Sequence, residues 1–116
     1  GHPLSKYISD EAVANLNCIT YLADIKQIQG SSIGFDFNQP ITLVIYNKIL
    51  EQAKMGSFNE GTSTRKEFVA HRHDQSVMSV LFHDHKIHLL PYGMIVNEYH
   101  AQPPYEYGQD YYIIKK

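Results

Sequence analysis

The sequence has one cysteine and no tryptophan among its 116 residues. Cys18 therefore has no partner for an internal bridge, which excludes the small disulfide-stapled secreted scaffold and favours a reducing, cytoplasmic setting. No apolar run approaches the ~18–20 residues needed to cross a bilayer, and the N-terminus lacks the basic-then-apolar layout of a signal peptide. An excess of one charge is lacking too: 12 Asp and Glu against 10 Lys and Arg give a formal net charge of −2. The counterion release that drives nucleic-acid binding has little to act on, so nucleic acid is not an expected partner.

What is present is an ordinary globular supply, 43% apolar and 19% charged residues. Domains run to ~100–200 residues, so one domain spanning 1–116 is expected, and its core needs neither metal nor disulfide. The chain opens on Gly1 rather than methionine, as expected after a cleavage, a trimmed end or for a fragment of a longer enzyme. Histidine is in surplus, seven in all, so acidification would carry the formal charge from negative to positive.

Helix signals stand at three places. Ser9 is a good N-cap, Asp10 and Glu11 complement the dipole behind it, Ile8 can staple onto Val13, and Asn15 and Asn17 stop the run. Asn38 and Pro40 open a second helix, in which Ile41, Val44, Ile45, Ile49 and Ala53 recur at helical spacing as far as Lys54 or Met55. Asp74 can cap a third, from Gln75 to about His83, with Val77, Met78, Leu81 and Phe82 inside. Between these, Ile19, Tyr21, Ala23 and Ile25 alternate with polar positions and predict a strand. Residues 29–38 suit a second strand, whose Gly30 and Ser31 let another group approach the backbone closely. Residues 56–65 read as a surface loop, 67–70 as extended chain, and 86–96 as one or two further strands broken near Pro91-Tyr92-Gly93. The tyrosines of the tail, Tyr105, Tyr107, Tyr111 and Tyr112, suit packing at a domain edge or stacking on sugar faces. The expected class is α/β: a small mixed domain of about three helices and four to five strands.

Most of the histidines fall in His71-Arg72-His73-Asp74 and His83-Asp84-His85-Lys86-Ile87-His88. Imidazoles two apart on a strand point the same way, which invites a metal site. At a helix end the spacing no longer aligns them, and His83 and His85 there simply suit the negative end of the dipole. Asp74, Gln75 and Ser76 at the mouth of a helix, behind His71 and His73, gather donors and acceptors that could hold a polyhydroxylated or phosphorylated ligand. The same residues also make an ordinary helix cap with loop histidines before it.

The string Phe68-Val69-Ala70-His71-Arg72-His73-Asp74-Gln75-Ser76-Val77-Met78-Ser79-Val80-Leu81 resembles the C-terminal region of bacterial and viral nucleotide-sugar glycosyltransferases of the GT-A type, where an HRHDQS-like stretch runs into a buried helix. The layout from Gly30 to His100 is also similar, with a strand entering the site and a helix after it. The resemblance implies the C-terminal half of a GT-A fold, with Asp74 and Gln75 catalytic or sugar-contacting. His71, His73, Ser76, Gly30 and Ser31 would line the substrate, and His100 would be a ligand to Mn2+. The D-x-D motif with which that family grips metal and diphosphate is missing, and the chain is less than half the length of such enzymes. The expected activity is therefore that of a glycosyltransferase-like segment contributing the acceptor side of a site and inactive alone. Two alternatives stand beside it: a non-catalytic carbohydrate- or protein-binding module, and a histidine-cluster metal-binding domain.

Overall fold

In the computed structural model, which describes residues 2–28 and 33–88, helix α1 (Asp10–Leu16) starts where Ser9 says it should. The Ser9 hydroxyl accepts the Ala12 N–H at 3.1 Å, Asp10 and Glu11 fill the first turn, and Asn17 closes the helix in the left-handed conformation at φ 54°. Helix α2 (Pro40–Met55) carries Pro40 in its first turn and ends on Gly56, whose φ of +87° strains any residue with a Cβ. Its N-cap is Gln39 rather than Asn38, and the Asn38 N–H instead bonds to the Asp36 carboxylate at 2.9 Å. Helix α3 (His73–Asp84) begins earlier than its sequence signal, so Asp74 sits within the first turn instead of capping it.

The α/β expectation is overturned. Among the described residues there are three α-helices, two 3-10 helices (Leu4–Lys6 and Ile19–Asp24) and no β-strand. The one β pairing described is a lone bridge of Pro3 to Lys26, with Leu4 N–H donating to Ile25 O and Gln27 N–H to His2 O. The strand predicted from Ile19, Tyr21, Ala23 and Ile25 is the helix Ile19–Asp24. The residues buried there are Cys18, Leu22, Ile25 and Ile28, whose spacing is helical, while Ile19 is 61% exposed. Residues 33–38 form no strand and run into a turn at Phe37 and Asn38. Residues 67–70 are irregular chain, with Val69 N–H donating to Lys6 O at 2.7 Å. Residues 86–88, the start of the strand expected over 86–96, form a turn and irregular chain; the remaining strand positions, at 29–32 and beyond His88, lie outside the described residues, as do Gly30, Ser31, His100 and the tyrosine-rich tail.

All five helices belong to one unit, Gly1–Gly30 with Phe35–Ile87; the chain's other unit takes Ser31–Gly34 and His88–Lys116. In the first, the N-terminal arm wraps a cluster of Leu4, Ile8, Val13, Cys18, Leu22 and Ile25 around Val80 of α3. The loop after α2 is sewn to the start of α1. Asp10 N–H donates to Thr62 O, the Glu11 carboxylate accepts Thr62 N–H and Oγ1–H, and Asp10 accepts Ser63 Oγ–H, Thr64 N–H and Arg65. The Ser63 hydroxyl and the Thr64 N–H, with the Arg65 charge behind them, hold the Asp10 carboxyl below its usual range. Among the described residues no helix is long and apolar enough to cross a membrane.

Gly61 lies against this seam: a Cβ there would run into the Ser9 side chain and the Glu11 carboxylate. Gly61→Ala is expected to cost about 1–3 kcal/mol, read as a lower urea midpoint at unchanged m-value, although loop glycines usually tolerate alanine.

Candidate functional site

The start of α3 collects most of the residues singled out from sequence, and their hydrogen bonds say what each is used for. His71 is buried, 6% exposed, between α1 and the loop after α2. Its Nδ1 accepts the Ser9 N–H at 3.0 Å, and its Nε2 stands 2.8 Å from Ser57 O. A backbone N–H can only donate and a carbonyl can only accept, so the ring is the neutral tautomer with its proton on Nε2. Burial is the main cause that holds its pKa below the ordinary value of 6.5, with His73 adding to it; the Ser57 carbonyl, Glu60 and Glu11 pull the other way.

His73 adopts φ 50° and is exposed. Its Nδ1 lies 2.8 Å from Phe58 O and its Nε2 3.5 Å from the Glu60 carboxylate, and its ring meets His71 edge to face at 5.4 Å. The two rings thus fasten successive carbonyls of one loop to the mouth of α3. Ser76 is fully buried; its hydroxyl donates to Tyr7 O and accepts the Arg72 N–H at 2.9 Å. Arg72 lays its guanidinium over the Tyr7 ring at 5.1 Å. Gln75 donates from Nε2 to Ile28 O at 2.6 Å, and Ile28 N–H donates to Ser79 Oγ at 3.0 Å, so two α3 side chains hold both backbone groups of Ile28. Asp74 is exposed, and its carboxylate accepts the N–H of the next residue, Gln75, at 2.8 Å.

The structure therefore brings His71, His73, Gln75 and Ser76 together as a clasp among the N-terminal arm, the loop at 57–60 and Ile28. Of the predicted catalytic pair, Gln75 is spent on that clasp and Asp74 stands apart from it. The predicted substrate contacts Gly30 and Ser31, and the predicted manganese ligand His100, fall outside the described residues. Among the described residues no three His, Cys, Asp or Glu side chains are grouped as a metal would need. The second histidine pair is divided as well: His83 stacks on Tyr21 at 5.7 Å, while His85 lines a cleft.

That cleft, of about 370 Å³, lies where α1, α2 and the end of α3 meet. Its amides are committed: Asn15 donates to Met55 O and Ser57 Oγ, and Gln52 bonds Ser57 and Asn15 O. Lys48, Glu51, Asp84 and His85 also line it, and Asp84 accepts the Tyr21 hydroxyl at 2.7 Å. Two further hydroxyls are buried, Ser57 just past the end of α2 and Ser79 in the middle of α3; the first is marked in the sequence only by its place after a helix, the second by nothing.

Set against protein-family models, curated proteins and solved structures, the chain matches none of them.

His71 makes stability depend on pH. Its folded pKa lies below the unfolded one, so its contribution is complete above about pH 6.5 and falls as acid protonates the unfolded chain first. Urea melts between about pH 8 and pH 5 are expected to show that decline. His71→Ala leaves Ser9 N–H and Ser57 O without partners, so it should lower stability by about 2–4 kcal/mol at neutral pH and flatten the slope.

Proposed function

We propose that this chain is a non-catalytic protein-interaction module and that its docking face is the outward side of α2. The observation that carries the reading is the helix composition set against its surroundings. The core-facing residues of α2 are Thr42, Ile45 and Gln52, whereas Leu43, Tyr46 and Leu50 are 52%, 43% and 45% exposed. These three recur at i, i+3 and i+7 and form one stripe. Phe37, 59% exposed, extends it by meeting the Tyr46 ring edge to face at 5.9 Å. A helix apolar on nearly every side is the composition of a buried helix, and a contiguous apolar strip in water is the usual mark of a surface that another protein covers.

The state of the HRHDQS stretch supports the same choice over sugar transfer. Transfer asks for a base and for groups that offset the charge of a departing diphosphate. Here His71, Gln75 and Ser76 are engaged in backbone contacts, leaving the exposed Asp74 carboxylate without such company.

The test is a protein-observed NMR titration with the apolar dye 1-anilinonaphthalene-8-sulfonate. Amide shifts are expected along Leu43, Tyr46 and Leu50. They should disappear in Leu43→Asn/Leu50→Asn, whose stability should change by no more than about 0.5 kcal/mol per exposed site. Shifts confined to the cleft around Lys48 and Glu51, or a nucleotide sugar with Mn2+ shifting Asp74 and Gln75, would overturn the reading.

A further inference from the structure

Which protein suits the stripe is decided by the charges at its two ends. Along α2 the strip of Leu43, Tyr46 and Leu50 carries no ionic group. Lys54 lies in the last turn, and Asp36 lies just ahead of the first. Asp36 is fixed there, its carboxylate accepting the Asn38 N–H and its carbonyl accepting the Thr42 hydroxyl at 2.6 Å. Lys48 and Glu51 are turned to the cleft side of the helix and stay clear of the strip.

We propose that the strip receives α2 of a second copy of this chain, in antiparallel register. The proposal rests on the reading of α2 as a docking face and names its occupant. Laid antiparallel about a two-fold axis beside Tyr46, Leu43 of each copy meets Leu50 of the other. Each Lys54 then arrives at the other copy's Asp36. Such an interface is isologous, so every favourable contact occurs twice, and the two helix dipoles run in opposition. Parallel pairing would instead set Lys54 against Lys54 and Asp36 against Asp36. Phe37, standing beside Tyr46, would close over the partner's Leu50 and the end of its helix. A strip carried by one helix is smaller than the ~800 Å² per partner of a stable complex, so the dimer forms and dissociates with concentration.

Sedimentation equilibrium of the full chain from about 10 μM to about 1 mM covers the weak range in question. The mean mass is expected to climb from 13.3 kDa towards twice that value. Leu50→Asp should reduce association about tenfold or more, because it buries an unpaired charge twice. Asp36→Lys should weaken it several-fold, and Asp36→Lys/Lys54→Asp should recover the wild-type value, an outcome that a general effect on solubility or folding would not produce. A mass that stays at 13.3 kDa throughout overturns the homodimer. If the dye still maps to Leu43, Tyr46 and Leu50 in that monomer, the docking face survives and only its occupant is wrong. If the dye leaves α2 untouched, both readings fall. Association that the double charge swap does not restore overturns the antiparallel register.

Discussion

One neutral imidazole joins the three parts of the folded unit. The His71 ring stands between the N–H of Ser9, which is also the cap of α1, and the carbonyl of Ser57, just past the end of α2. It stands two residues ahead of α3. The ring can satisfy a donor on one side and an acceptor on the other only while it carries a single proton, so the protonation state of one side chain is built into the packing of all three helices. The neighbouring contacts follow from that placement. His73 reaches the next carbonyl of the same loop, Arg72 and Ser76 hold Tyr7, and Asp10 and Glu11 gather the far end of the loop at 62–65.

The local rules of helix ends were legible in the sequence because they involve a few adjacent residues. Ser9, Asn17 and Pro40 each act at a terminus through their own backbone or side chain. The strands were misread for a reason of the same kind. In residues 18–28, a period of two in Ile19, Tyr21, Ala23 and Ile25 overlaps a helical period in Cys18, Leu22 and Ile25, and only long-range packing against Val80 chooses between them. The two readings share Ile25 and differ in which face of Ile19 and Tyr21 meets water. The cap of α3 was misplaced because Asp74 has the right chemistry for a cap, while the clasp at His71 and Arg72 starts the helix earlier.

The HRHDQS stretch shows how little residue type alone says about use. Histidine, glutamine and serine at a helix mouth can hold a sugar by offering donors and acceptors, and the same groups can hold a backbone. The sequence does not say which, because the competing partners are carbonyls and amides at Ser9, Ile28 and Ser57, distant along the chain and identical in every residue. The exposed strip on α2 was half legible. Its apolar residues are plain in the sequence, but the expectation that a helix turns such residues inward hides the fact that Thr42 and Gln52 take the inner face.

The position of Val80 has a consequence for how the chain is made. Leu4, Ile8, Leu22 and Ile25 leave the ribosome before α3, yet the side chain around which they close belongs to that helix, near the end of the described segment. Until that helix emerges, the N-terminal arm has neither its core nor the backbone partners at Val69 and Arg72 that anchor Lys6 and Tyr7. Contacts this distant in sequence close late and slowly. The arm therefore keeps its apolar side chains in water until α3 is available, so a chain arrested before α3 would hold that surface open to aggregation.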